Sequence, residues 1–158
     1  MKILGIDPGL AVTGYGILDV DGDKVRLINA GSFTTSPGKL SERLTNIFGK
    51  VTDLISSESP AEVALEEGFY GKNVKVAMSL GQARGAVLLA CGLGNVPIYE
   101  YSPREVKQSV VGRGSASKEQ VNYMIKQLLS LTELPTPHDV SDALAVAYCH
   151  YQKREMKF

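Results

Sequence analysis

Short apolar runs, alternating or continuous, fill the first third of the chain, and this pattern predicts strands. The predicted strands run from Lys2 to Asp7, from Thr13 to Val20 and from Lys24 to Thr35. The first strand stops on a carboxylate because Pro8 cannot continue a central ladder. The other two strands are joined at the turn signal Asp21-Gly22-Asp23. Connections this short predict an antiparallel meander.

The rest of the chain alternates helical periodicity with two further short apolar runs. Apolar positions from Leu40 to Ile55 recur every three or four residues, and Pro60 closes this helix. Ser117, with Gln120 three residues later, has the pattern of a capping box that starts another helix. The remaining predicted elements are strands from Ala61 to Leu65 and Val96 to Tyr101, helices from Asn73 to Gly92, Pro103 to Val110 and Asp139 to Tyr151, and a frayed tail from Lys153 to Phe158.

This order of elements predicts one α/β domain that covers residues 1–158. The chain has 158 residues, of which 44% are hydrophobic, and this is enough for a substantial core. The predicted architecture is a mixed five-stranded sheet with helices on both faces. Cys91 and Cys149 lie in apolar helical segments and indicate core thiols of a reduced, cytoplasmic protein. We expect neither a signal peptide nor a membrane partner.

Charge is distributed unevenly along a chain whose net charge is zero. Residues 1–70 hold six basic and ten acidic side chains, whereas residues 71–118 hold seven basic and two acidic ones. A basic segment beside acidic ones fits a protein that binds a polyanion and also uses carboxylates, although an ordinary solvated surface has the same counts. The basic residues of the middle segment are Lys72, Lys75, Arg84, Arg104, Lys107, Arg113 and Lys118.

Four carboxylates occupy positions where sites form in α/β proteins. Asp7 and Glu66 each end an apolar strand, and Asp139 and Asp142 project from one face at the start of the last helix. Taken alone, Asp7 is interpreted as a turn cap. For the helical pair taken alone, an N-cap with a dipole partner is an equal alternative to a site. Taken together, crowded carboxylates repel one another, and an oxygen-rich cluster suits Mg²⁺ or Mn²⁺. Two such ions can activate a water and stabilise the leaving oxygen of a phosphodiester.

A series of motifs runs in one order through nearly the whole chain. The motifs are Gly5-Ile6-Asp7-Pro8-Gly9, Glu66 followed by Phe69, Leu80-Gly81-Gln82-Ala83-Arg84-Gly85, Val106-Lys107-Gln108 with Val110-Val111-Gly112, Gly114-Ser115-Ala116 before Lys118, and Asp139-Val140-Ser141-Asp142-Ala143-Leu144-Ala145. The first motif alone is weak, but the ordered set resembles the RuvC-type Holliday junction resolvases of the ribonuclease-H-like nuclease superfamily. The resemblance implies a ribonuclease-H-like sheet. It also implies an Mg-dependent endodeoxyribonuclease that resolves four-way DNA junctions by paired symmetric nicks, in recombination and repair.

The same resemblance implies roles for individual residues. It places the catalytic metal, expected as two Mg²⁺ per site with Mn²⁺ as an alternative, on Asp7, Glu66, Asp139 and Asp142. It places Lys107 and Lys118 near the scissile phosphate, and Phe69 at the open centre of the junction. Glu67 and His138 stay open as further contributors to the site. The basic segment adds the expected DNA contacts Lys72, Lys75, Arg104 and Arg113.

Partners also follow from the resemblance. It implies a homodimer, because a four-way junction has two-fold symmetry and two matched nicks need two active sites. It also implies a branch-migration helicase complex of RuvA and RuvB. The helix from Asn73 to Gly92 is apolar on most faces, and its Gly81 and Gly85 permit close approach of either the sheet or a partner. The face expected to meet the symmetry mate includes some of Leu80, Gly81, Arg84 and Val87.

Two other functions share part of these features. Sugar-kinase and actin-like ATPases place Asp-x-Gly after a first strand, but they duplicate the domain, and this chain has one copy of the motif. A non-catalytic DNA-binding module would use the basic segment alone. Four candidate ligands in order favour the nuclease over both.

Overall fold

Five strands form one mixed sheet between two layers of helices. The structure, a computed structural model, describes residues 1–68 and 71–155. The strands are β1 (Lys2–Asp7), β2 (Val12–Asp21), β3 (Lys24–Thr34), β4 (Glu62–Glu66) and β5 (Ile98–Tyr101). The helices are α1 (Leu40–Glu58), α2 (Val74–Leu93), α3 (Pro103–Val111), α4 (Lys118–Leu128) and α5 (His138–Glu155).

The sheet has the strand order β3-β2-β1-β4-β5. β2 pairs antiparallel with both β1 and β3, whereas β4 runs parallel to both β1 and β5. The predicted meander and the predicted mixed five-stranded sheet are therefore confirmed. β5 begins at Ile98 rather than at Val96, since Pro97 between them has no N–H for the ladder. The carboxyl ends of β1 and β4 lie next to each other at one edge of the sheet, where sites form in folds of this type.

Side chains of the central strands alternate between two cores. On β1, Ile3 belongs to the core beneath α5, whereas Leu4 and Ile6 belong to the core beneath α1 and α2. Asp7 follows Ile6 and therefore points to the α5 face of the sheet. β4 behaves in the same way, with Ala64 in the core beneath α5.

Glycines on the α5 face bring that helix into close contact with β1 and β2. A Cβ on Gly5 would lie 2.0 Å from the carbonyl oxygen of Ala143, and one on Gly14 would lie 2.1 Å from that of Asp139. Gly16 packs in the same way against the Leu144 side chain. No side chain fits in these gaps, so glycine is required for the packing. The first turn of α5 is thereby placed beside the end of β1.

α5 is longer than its sequence pattern predicts. It begins at His138, one residue before the predicted start, and it continues to Glu155. The predicted frayed tail from Lys153 to Phe158 is therefore wrong for its first three residues, and its last three lie outside the described residues. Arg154 Nη1 donates to Glu62 Oε1 at 2.6 Å, and this contact holds the last turn of α5 on the sheet.

α2 packs on α1 and the sheet along one narrow side. Val87 is fully buried in this core, so it is not one of the four residues from which the partner-facing set was expected to come. A Cβ on Gly81 or Gly85 would meet nothing within 4 Å, so the alternative of tight packing of these glycines on the sheet is also wrong. Both glycines instead lie on the open side of the helix.

The open side of α2 is apolar. In length and composition α2 is the one helix, within residues 1–68 and 71–155, that could cross a membrane, and 22% of its apolar window is buried in the domain. Its packing on α1 makes the open side a surface of the domain. The large apolar side chains exposed on α2 are Val74, Val76, Met78, Leu89 and Leu93.

Candidate active site

The carboxyl ends of β1 and β4 place two carboxylates side by side. In the parallel ladder Ile6 pairs with Leu65, so Asp7 and Glu66 follow at adjacent positions. Both point to the α5 face by the alternation of the strands. Glu67 is exposed, whereas Glu66 is partly buried, so Glu66 is the glutamate that lies at this edge of the site.

The first turns of α5 add two more carboxylates. Asp139 and Asp142 lie at the second and fifth positions of the helix, so Asp139 is inside α5 and is not its N-cap. His138, the first residue of α5, is exposed. Gly14 pairs with Asp7 across the β1–β2 ladder and lies beneath the Asp139 carbonyl. The missing side chain of Gly14 thus sets how closely α5 approaches Asp7.

Lys118 of α4 borders the carboxylates on a third side. Its Nζ donates to Asp142 Oδ2 at 2.9 Å. The two side chains line a cleft of about 340 Å³ together with Glu66 and Lys107. The predicted capping box, in which Ser117 and its partner Gln120 bond each other's backbone, is present and starts α4 directly before Lys118.

Asp7 has a strongly shifted pKa. The pKa of its carboxyl is raised from 3.8 to about 8, first by burial and then by the negative charges of Asp142, Asp139 and Glu66. The positive charge of Lys118 acts in the opposite direction. The four predicted carboxylates therefore share one electrostatic environment.

Burial also raises the pKa of Glu66, and the charge of Asp142 is the second cause. Lys118 and Lys107 lower it.

The chemistry of this donor set fits a divalent cation. Mg²⁺ and Mn²⁺ prefer carboxylate oxygens and water, and a cation relieves the repulsion that raises the pKa values of Asp7 and Glu66. Within the described residues, no three His, Cys, Asp or Glu side chains are close enough to ligate one ion as they stand. Ligation of one ion by three of these side chains would therefore require side-chain rotation.

Two of the other predicted site residues line hollows that the carboxylates also border. Lys107 lines the cleft itself, and Lys75 lines a second hollow that Asp139 also borders. Phe69 lies outside the described residues, so its role at the junction stays a prediction. The remaining predicted DNA contacts are all exposed: Lys72, Arg104 and Arg113.

Arg84 of α2 holds the end of β4, a contact that the sequence did not reveal. Its Nη1 donates to the backbone carbonyl of Glu66 at 2.6 Å, and its Nη2 binds the Glu100 carboxylate of β5. The side chain is 15% exposed and points inward, so Arg84, like Val87, is not among the residues of that expected set that face a partner. In the sequence, Arg84 is visible only as an isolated charge on an apolar helix. Such a charge is consistent with an ion pair inside the domain and equally with a contact to a partner protein.

Comparisons with known proteins agree with the motifs. The family model for crossover junction endodeoxyribonuclease RuvC matches residues 3–150. The chain is 46% identical over 151 residues to the RuvC of Pelotomaculum thermopropionicum, across 95% of this chain and 92% of that relative. It is 48% identical over 158 residues to the RuvC of Natranaerobius thermophilus, across 99% of this chain and 98% of that relative.

A solved structure gives the same result. The RuvC of Thermus thermophilus in complex with a Holliday junction substrate has a TM-score of 0.94 and 38% identity, across 99% of this chain and 96% of that chain. The resemblance stated from the motifs and the ribonuclease-H-like fold class are both confirmed by these similarities.

Proposed function

The chain belongs to the RuvC family of crossover junction endodeoxyribonucleases, and we propose that it resolves four-way DNA junctions by paired hydrolysis of phosphodiester bonds. The observation that carries the proposal is the electrostatic grouping of Asp7 with Glu66, Asp139 and Asp142 at one edge of the sheet. The Thermus thermophilus relative is bound to a Holliday junction substrate in its solved structure, which supports the same substrate class here. Recombination and repair are the processes in which such junctions arise.

The carboxylates have the role of metal ligands in this proposal. Asp7, Glu66, Asp139 and Asp142 would hold Mg²⁺, or Mn²⁺ as an alternative, with two ions as the expected number. When bound, the ions activate a water and stabilise the leaving oxygen. Lys107 and Lys118 bring two positive charges into the cleft, where they would face the negative charge that develops on the scissile phosphate.

The DNA backbone would follow the exposed basic residues around the cleft. Lys72, Lys75, Arg104 and Arg113 are all exposed, which leaves their charges available to phosphates. Phe69 follows Glu66 by three residues and keeps its expected role at the open centre of the junction.

A homodimer would supply the second active site. The apolar open side of α2, with Leu89 among its exposed residues, borders a hollow of about 470 Å³ between α1 and α2. An apolar surface of this kind is covered when two copies associate. The branch-migration complex of RuvA and RuvB and a cytoplasmic location remain proposals drawn from the resemblance.

The test uses the purified protein with Mg²⁺ and three substrates in parallel: a labelled four-way junction, a plain duplex of the same sequence, and ATP. Paired nicks in the junction alone are expected, and EDTA should abolish them. ATP hydrolysis without nicking would favour an actin-like ATPase. Tight junction binding without nicking in either Mg²⁺ or Mn²⁺ would favour a binding module.

A further inference from the structure

Buried hydrogen bonds join α5 to β4 and β5 outside the carboxylate cluster. His150 of α5 is 2% exposed, with Nδ1 2.6 Å from the Tyr101 hydroxyl and Nε2 2.7 Å from Glu62 Oε2. The other oxygen of Glu62 accepts from Arg154 Nη1 at 2.6 Å. The imidazole also stacks on Tyr99, with ring centroids 4.5 Å apart. We refer to Tyr101, His150, Glu62 and Arg154 as the polar chain.

The donors and acceptors of the polar chain match one another. Burial is the main cause that raises the pKa of the Tyr101 phenol to about 12, so the phenol keeps its proton. The Glu62 carboxylate accepts from Arg154 and has no hydrogen to donate, so His150 Nε2 donates to it. The Tyr101 hydroxyl is the hydrogen-bonding partner of the other ring nitrogen, Nδ1.

Through Tyr101 of β5, the polar chain is attached to the sheet beside Glu66, one of the proposed metal ligands. Tyr101 is the register partner of Glu66, and its carbonyl accepts from the Glu67 N–H at 2.7 Å. The next residue, Ser102, caps α3, the helix that carries Lys107. Tyr101 is therefore attached both to the end of β4 at Glu66 and, through Ser102, to the helix that carries Lys107.

On the helix side, the polar chain is attached to the element that carries Asp142. His150 follows Asp142 by eight residues of α5, about 12 Å along the axis. The glycine contacts at Gly5 and Gly14 fix α5 against β1 and β2, and hence against Asp7. The polar chain fixes the same helix against β4 and β5.

We propose that Tyr101, His150 and Glu62 are positioning residues that hold Glu66 of β4 and Asp142 of α5 in the relative position a shared divalent cation requires. An apolar contact would fill the same space but would let the helix slide, whereas directional hydrogen bonds have one geometry. The inference rests on the proposed function, because the cation is the one assigned there to the carboxylates.

Tyr101→Phe tests this with the smallest change, since it removes one hydroxyl. Tyr148→Phe is the matched control, because Tyr148 is a buried tyrosine of α5 that loses a bond from Gln152 outside the polar chain. Calorimetric Mn²⁺ binding without DNA is the main measurement. Tyr101→Phe should weaken it roughly 10-fold and raise the Mg²⁺ concentration for half-maximal cleavage, while Tyr148→Phe should change neither. Junction affinity in EDTA should be the same for both variants and the parent.

Glu62 gives a second pair of variants should Tyr101→Phe fail to fold. Glu62→Gln keeps an acceptor for His150 and should keep parental Mn²⁺ affinity. Glu62→Met removes that acceptor and should weaken Mn²⁺ binding about as much as Tyr101→Phe does. Parental Mn²⁺ affinity in Tyr101→Phe or in Glu62→Met would overturn the positioning role while the parent still cleaves junctions. A parent that neither binds Mn²⁺ nor cleaves junctions would overturn the proposed function, and this inference with it.

Discussion

Lys118 Nζ lies 2.9 Å from Asp142 Oδ2, so the protein itself supplies a cation to one carboxylate of the proposed active site. This hydrogen bond is the main cause that raises the pKa of Lys118, which keeps the ammonium charged. Since 56% of the Lys118 side chain is exposed, the ammonium can leave Asp142 without crossing the core. We therefore expect Lys118 to compete with a metal ion for Asp142 in the free protein and to be available to a phosphate when DNA binds.

Lys118→Ala should separate metal binding from catalysis. Without the competing ammonium, Mn²⁺ should bind the DNA-free protein at least as tightly as in the parent. The single-turnover cleavage rate should fall about 10²- to 10³-fold, because a positive charge near the developing oxyanion is lost. Junction affinity in EDTA should fall by less than tenfold. Lys126→Ala, at the other end of α4, is the control and should keep the parental rate. Weaker Mn²⁺ binding in Lys118→Ala would contradict the competition.

Asp7→Asn should abolish cleavage and at the same time stabilise the metal-free protein at alkaline pH. The folded-state pKa of Asp7 is about 8 against 3.8 for a free carboxyl, so between these values the folded state holds a proton that the unfolded state has released. The stability contributed by this group is complete below about pH 4 and is lost as the pH rises through about 8. Asn cannot ionise, so the variant avoids that loss.

The measurement is chemical unfolding in EDTA at pH 4.5 and pH 8.5. The gain from Asp7→Asn should be roughly 2–5 kcal/mol at the higher pH and at most about 1 kcal/mol at the lower one, since each pKa unit corresponds to about 1.4 kcal/mol. Asp53→Asn, on the exposed side of α1, controls for the loss of a charge and should show no such pH dependence. A difference in stability between the parent and Asp7→Asn that is the same at both pH values would show that Asp7 ionises in the fold as readily as a free carboxyl.

Local patterns were sufficient to predict the sheet and the positions of the carboxylates. The apolar run before Asp7, the break at Pro8 and the equivalent end of β4 at Glu66 follow from backbone chemistry alone. The start of α4 was predictable for the same reason, because the capping box of Ser117 and Gln120 is a contact within four residues.

Contacts between distant elements account for what could not be predicted. The end of α5 depends on Arg154 meeting Glu62, a pair separated by 92 residues. Arg84 points into the domain and binds the Glu66 carbonyl. The spacing of residues along an apolar helix does not predict whether a charged side chain points into the domain or towards solvent. The distance between the carboxylates of α5 and Asp7 likewise depends on how closely α5 approaches β1. Gly14 sets that approach, and it lies in β2, a strand that carries none of the four carboxylates.

Leu89→Glu should convert a dimer into monomers, provided that the apolar open side of α2 is the interface. Leu89 is 57% exposed and borders the hollow between α1 and α2, so a charge there would be buried without a partner in the dimer. Sedimentation at micromolar concentration is the measurement. Ile28→Glu, at an exposed apolar position of β3, is the control and should leave the dimer intact. A Leu89→Glu protein that sediments as the parental dimer would place the interface elsewhere.

Gly14→Ala should disrupt the site without touching a carboxylate. The added methyl would lie 2.1 Å from the Asp139 carbonyl oxygen and 2.7 Å from the Val140 nitrogen. Because both contacts are to backbone, no side chain can rotate away, and the first turn of α5 has to move off β2. Overpacking of this kind typically destabilises a protein by about 1–3 kcal/mol. The same displacement moves Asp139 away from Asp7, so Mn²⁺ affinity should fall at least tenfold and cleavage should fall with it.

Gly49→Ala separates the displacement of α5 from a general effect of replacing glycine. Gly49 lies within α1, and a Cβ there would meet nothing within 4 Å, so the substitution should stabilise the helix by up to about 1 kcal/mol and leave Mn²⁺ binding unchanged. Unfolding free energies and Mn²⁺ affinities of the parent and both variants are compared under one set of conditions.

The decisive quantity is the Mn²⁺ affinity of Gly14→Ala, measured at a temperature at which the unfolding curve shows this variant to be fully folded. Loss of affinity in a folded protein means that the height of α5 above β2 sets the geometry of the carboxylates. Parental affinity in the folded variant would mean that the carboxylates reach the ion by side-chain rotation alone, whatever the position of the helix.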